Sequence, residues 1–379
     1  MHRILFLLVS FVILYTLPLL PQVQSQLYLE NAIIKSIKGD GNFIWVATYG
    51  QGIFRYSVKE DKWFNYSTKR GNLDNDLFYN LAVSKDYVWA GSVDGLFTYD
   101  KKKDQWRKRK FSQGGIMGNW IRSLCYDQSQ NTLWIGRFEN LTRLEVAKQK
   151  FSDYDLTIKN DSKTNNIISI KLDGDSLIWF GSESGVHIYD KNEDINNKNS
   201  WSFLNNKNGG FNNEGEAVSV HDMLFDYKNV WFASDEFVTA QKPKFNVGGI
   251  FEYDRKYRWD RISKEDGLPG NGIYCLERTG NFIWSGIYSF DKKKGEGENG
   301  RGLVYINRLN NKIYPVDLNS LNIYTSIIHC LYFDGGDLWI GSDKGLVRVN
   351  FYNPLASFGV KKELKPKDVI KNRKKKYVP

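Results

Sequence analysis

The residues best suited to proton transfer are few. Three histidines follow the first 25 residues, His187, His221 and His329, and one glutamate, Glu277, stands two residues beyond Cys275 in a comparable segment. An imidazole paired with a carboxylate can serve as general acid and base. No Ser/His/Asp order, no HExxH and no paired histidines at metal spacing occur, so neither a metal nor a cofactor is expected. Cys125, Cys275 and Cys330 are an odd set, so at least one thiol is unpaired. All three sit in apolar segments, where a cysteine acts as a small hydrophobe. A second group suits binding: Tyr49, Trp120, Arg137, Phe138, Asp235, Glu236, Phe237, Tyr288, Phe290 and Arg301. Aromatic platforms beside carboxylates and guanidinium groups fit a sugar or a peptide.

A repeat positions these residues. An apolar pair ending in Trp, then small residues, then Gly and an aliphatic residue, recurs around Trp45, Trp89, Trp134, Trp179, Trp231, Trp284 and Trp339. The Trp-to-Trp spacings are 44, 45, 45, 52, 53 and 55 residues. Each copy reads as four strands. The first is apolar (Ile34 and Ile37, Ile121 and Leu124, Ile328 and Leu331), and a polar turn often containing Asp follows. The Trp strand is second. A turn at Gly52, Gly95, Gly185, Gly249, Gly302 or Gly345 leads to the third, with Asn140 in the third copy; both residue types tolerate positive φ. The fourth strand carries Trp63, Trp106, Trp201 or Trp259. Seven four-stranded units at this period predict an all-β, seven-bladed β-propeller of antiparallel blades over residues 26–353. The seventh copy lacks a fourth strand of its own. Leu27-Tyr28-Leu29-Glu30 is expected to supply it and close the ring.

The segments NWIRSL at Asn119–Leu124, LWIGS at Leu338–Ser342 and GLPGN at Gly267–Asn271 resemble the two-component regulator propeller repeat. The resemblance spans residues 26–353. It implies the propeller fold and a place among the periplasmic ligand-sensing parts of bacterial hybrid sensor kinases, often for glycans. After the repeats this sequence continues only into a basic tail, residues 354–379, so a stand-alone module without a kinase is expected. Lys361 to Lys376 hold most of the net charge of +10. The folded part is close to neutral, and no nucleic-acid partner is expected. Membrane contact is expected only through that tail. Residues 1–25 read as a signal peptide with cleavage before Gln26, a retained anchor being the alternative, which places the protein in the periplasm or outside the cell.

Two rings of loops share the face on which a propeller binds. From the Trp to the turn residue the distance is six or seven residues in five copies and 18 in copies five and six. The long loops, about 235–248 and 287–301, mark one sector of that face as the expected site. His221 and His329 fill the same slot of the first strand in which other copies have Lys35, Tyr79, Arg122, Ile168 and Tyr274. Two functions follow: a monomeric, non-enzymatic module for a glycan, peptide or protein ligand, or a propeller lyase or hydrolase acting through His221, His329 and Glu277 on a glycan or small molecule.

Overall fold

The computed structural model describes residues 24–112, 117–238, 242, 244–290 and 298–350. The leader through residue 23 and the tail from residue 351 lie outside them. Seven four-stranded antiparallel sheets are arranged as a ring. Their innermost strands are Ile34–Gly39, Asn80–Val83, Ile121–Asp127, Ile167–Asp173, Val220–Phe225, Gly272–Thr279 and Ile328–Phe333. The seven-bladed propeller expected from the repeat is the fold.

The core is seven seams rather than one centre. All seven repeat tryptophans are 3% exposed or less. Each packs into the following blade: Trp45 against Leu81 and Tyr99, Trp134 against Ile170 and Tyr189, and Trp339 against Ile34 and Tyr56. One sheet cannot cover both its faces, so every seam buries what its neighbour leaves open. The glycine that follows the Trp motif is a packing requirement. A Cβ on Gly181 would stand 2.6 Å from the Val220 carbonyl oxygen of the next blade. The turn residues behave as expected, with Gly95 at φ 117° and Asn140 at φ 75°.

Two sets of polar contacts join adjacent blades. Near the channel, a small polar side chain bonds a carbonyl of the next inner strand: Asn80 to Ile121 (3.0 Å), Ser123 to Ile167 (3.0 Å) and Ser169 to Val220 (2.7 Å). On the face opposite the long loops, the aspartates of the polar turns pair with a cation of the following blade. These bolts are Asp40–Lys101, Asp127–Lys191, Asp173–Arg255 and Asp226–Arg308.

The ring closes through the N-terminal segment, with a shift from the expected residues. The strand is Gln24–Tyr28, antiparallel to Gly345–Asn350 as the outermost strand of blade seven. Leu29 and Asn31 cannot extend it, because their φ values of 48° and 64° turn the chain toward blade one. The strand includes Gln24 and Ser25, which precede the expected cleavage point.

Candidate functional site

Six of the seven inner strands carry a register shift at one position, and the extra residue is Lys35, Arg122, Ile168, His221, Tyr274 or His329. A bulge frees a residue from strict pairing and re-aims its side chain. With Tyr79 of blade two, these residues line a cavity of about 270 Å³ at the channel mouth, on the long-loop face. Trp120, Asp235 and Tyr288 complete its wall.

One side of the mouth is aromatic. Tyr49 packs edge-on against Tyr79 (5.6 Å between ring centres), Tyr79 against Trp120 (6.0 Å), and Trp120 stacks on Phe138 (5.7 Å). The Arg122 guanidinium lies over Trp120 at 5.0 Å and is held by Glu183 at 3.1 Å. The other side is polar. Asp235 accepts bonds from Ser219 (2.5 Å) and from the Tyr288 hydroxyl (3.1 Å), and lies 3.6 Å from His221 Nδ1. Tyr274 sits between Tyr288 (4.5 Å) and His329 (5.5 Å). Burial, with Lys35 nearby, pushes the His329 imidazole down to about 4, so it is neutral at pH 7.

The expected site residues divide accordingly. Trp120, Asp235 and Tyr288 line the mouth, and Tyr49 and Phe138 back the aromatic side from behind. Arg137 does not face the mouth. It is 4% exposed inside blade three, bonded to Thr142, Asp153 and the Gly118 carbonyl. The long segments are not simple loops either. Asp235–Phe237 and Tyr288–Phe290 continue the Trp strands, with Phe237 opposite Asn246 and Ser289 opposite Asn299. Their pairing with the following strand extends the ladder as a ribbon. Glu236, Phe237 and Phe290 lie along these ribbons: Phe237 meets Phe290 at 4.9 Å, and Glu236 accepts the Phe290 N–H at 2.9 Å. Arg301 bonds Ser289 at 2.7 Å and does not line the mouth.

His221 and His329 are at the mouth, but Glu277 lies further along its strand, in a deeper chamber. His187 is buried in blade four, bonded to the Thr164 carbonyl at 2.8 Å. All three cysteines are free, and burial pushes the thiol of Cys125 up to about 11 and that of Cys330 up to about 12. Among the described residues, no group of three or more His, Cys, Asp or Glu could hold a metal ion. Lys35, Tyr79, Arg122, Ile168 and Tyr274 were visible in the sequence only as companions of the two histidines; the shared slot was the signal for all seven.

No family model matches the chain. It is 26% identical over 332 residues to Histidine kinase P4 of Formosa agariphila, covering 70% of this chain and 24% of that protein. Among solved structures, it superposes on the extracellular domain of the two-component system protein BT4673 of B. thetaiotaomicron with a TM-score of 0.64 at 18% identity. That match covers 88% of this chain and 40% of the other. Virginiamycin B lyase of Staphylococcus aureus is similar at a TM-score of 0.59 and 14% identity, over 87% of this chain and 99% of the lyase. The chain thus spans about a quarter of the curated relative and two fifths of the BT4673 extracellular domain. The structural likenesses establish the fold, and no helix among the described residues is long and apolar enough to cross a membrane.

Proposed function

We propose that this chain is an exported ligand-binding propeller of the kind found in sensor ectodomains, with its site at the channel mouth. The supporting observation is the convergence of one register slot from all seven blades into a single cavity, six of the seven side chains being aimed there by bulges. A scaffold repeat needs no such diversity. Lys, Tyr, Arg, Ile, His, Tyr and His at equivalent positions make an asymmetric surface, as recognition of one ligand requires. Trp120, Tyr79 and Tyr274 offer ring faces, and Arg122, His221 and Asp235 offer directed polar groups. That combination suits a glycan, with a peptide as the other class of fit.

The test is a glycan and peptide panel screened against the protein, followed by titration of the best binder with Trp120→Ala and Tyr288→Phe variants. Trp120→Ala should weaken binding about tenfold, the scale of one lost aromatic contact plus its buried area. Unchanged affinity in both variants removes the mouth as the site. Export is tested by the N-terminal mass of the protein recovered outside the cytoplasm.

A further inference from the structure

From the seven slot residues the channel continues inward as a cavity of about 380 Å³. Its distinctive lining groups are Lys38 of blade one, Lys171 of blade four, Asp222 of blade five and Glu277 of blade six. Lys38, Lys171 and Glu277 each stand three residues beyond a mouth residue, roughly 10 Å deeper at the rise of an extended strand. These two cations and two carboxylates, facing one stretch of the channel, could have paired off completely. They have not.

Lys171 and Asp222 are bound to each other at 2.8 Å, and Asp222 also accepts the Leu276 N–H at 2.9 Å and the Met223 N–H at 2.9 Å. That pair is complete. Glu277 accepts only the Arg278 N–H, at 2.9 Å, and among the described residues it has no ion pair. Lys38 Nζ has neither ion pair nor hydrogen bond among them. The two sense each other electrostatically across the chamber, with Tyr332 of blade seven between their strands, but do not meet. Among the described residues, one cation and one carboxylate without an ion pair thus face the same stretch of the channel. Charges removed from bulk water are costly unless paired, and the complementary partner is a molecule carrying both signs.

We infer that the chamber is a binding site for a small zwitterion, an ammonium and a carboxylate on one amino-acid-sized molecule, with its carboxylate on Lys38 and its ammonium on Glu277. The site adjoins the mouth, since the seven slot residues line both cavities, but Lys38 and Glu277 line only the deeper one. Burial, opposed in part by the other carboxylates, lowers the Lys38 ammonium below its usual range, and burial raises the Glu277 carboxyl. Neither group has an opposite charge within bonding distance among the described residues, and a zwitterion supplies one to each.

The experiment is calorimetric titration of the intact chain with glycine, β-alanine and γ-aminobutyrate, whose charges are progressively further apart, and with acetate and methylamine as single-charge probes. Saturable binding of at least one zwitterion, about tenfold or more tighter than either single-charge probe, is expected. Lys38→Met and Glu277→Gln should each abolish the preference, and Trp120→Ala should leave it intact. The unmodified protein decides the matter even if a variant misfolds. Equal response to zwitterions and acetate, or no saturable response at millimolar concentrations, overturns the inference. Glycan binding at the mouth can survive that result, just as zwitterion binding can survive loss of the mouth site.

Discussion

Replacing Lys191 by Met should be among the most damaging single changes to this ring. The Lys191 and Asp127 side chains are 1% and 2% exposed and meet at 2.8 Å, joining blade three to blade four. Lys191 also reaches Ser129 at 3.2 Å. Without the ammonium, Asp127 keeps its buried carboxylate and loses its counter-ion, which costs about 3–5 kcal/mol. Lys102, paired with Asp86 at 3.2 Å but 81% exposed, is the control, and Lys102→Met should change stability by less than about 1 kcal/mol. The double variant Lys191→Met/Asp127→Leu should recover most of the loss, because an apolar pair needs no compensation. Urea denaturation at neutral pH reads this as a shift of midpoint at constant slope. The pH dependence adds a second check. Burial pushes the Asp127 carboxyl up, but its bonds from Lys191 and Ser129 outweigh this and hold it below the ordinary range. Its contribution is therefore complete above the unfolded pKa of about 3.9 and is lost as pH falls through the lower folded value. Equal midpoints for Lys191→Met and Lys102→Met, or a double variant worse than both singles combined, would refute the reasoning.

Burial pushes the His187 imidazole down to about 4. The unfolded chain then binds a proton that the folded chain refuses between about pH 6.5 and pH 4, so stability should fall by up to about 3 kcal/mol as pH drops through that window. His187→Phe should flatten that part of a stability-versus-pH profile, and an unaltered profile would remove His187 as its cause. Gly181→Ala should cost about 1–3 kcal/mol, because the added methyl meets the fixed Val220 carbonyl at 2.6 Å and Ser169 Oγ more closely still. An unchanged denaturation midpoint would mean that the seam between blades four and five can open to admit it.

The repeat was legible because sheet packing is periodic. A Trp at one depth in each blade fills each seam, and its spacing counts the blades. The closing strand was legible as a need, since blade seven lacked a member, but its end depends on the turn at Leu29 and Asn31. Positive φ at those residues leaves little mark in composition. Arg137 shows a sharper limit. In the sequence it stands next to Phe138 and is expected among the binding residues. In the fold it compensates within its own blade, bound to Thr142 and Asp153. The length of blades five and six was legible too. Its form as paired ribbon was not, because the pairing of Phe237 with Asn246 depends on which residues lie opposite across the hairpin.

The seam rule also explains why charge collects where it does in the channel. At the position where blades two, three and four place Asn80, Ser123 and Ser169 against the next blade's carbonyl, blade five places Asp222. A carboxylate cannot donate to a carbonyl, so this seam is built the other way: Asp222 accepts the Leu276 N–H and requires a cation, which Lys171 provides from the blade before. Consistent repeats break their own rule where a site is maintained at the expense of local economy. Lys171 at the equivalent depth of blade two is Ala82, and of blade three Cys125, neither of which carries a charge. The charged groups that the chamber adds to those of the mouth therefore come from blades one, four, five and six. They are an asymmetric set imposed on a symmetric frame, just as the seven unlike side chains of the mouth are.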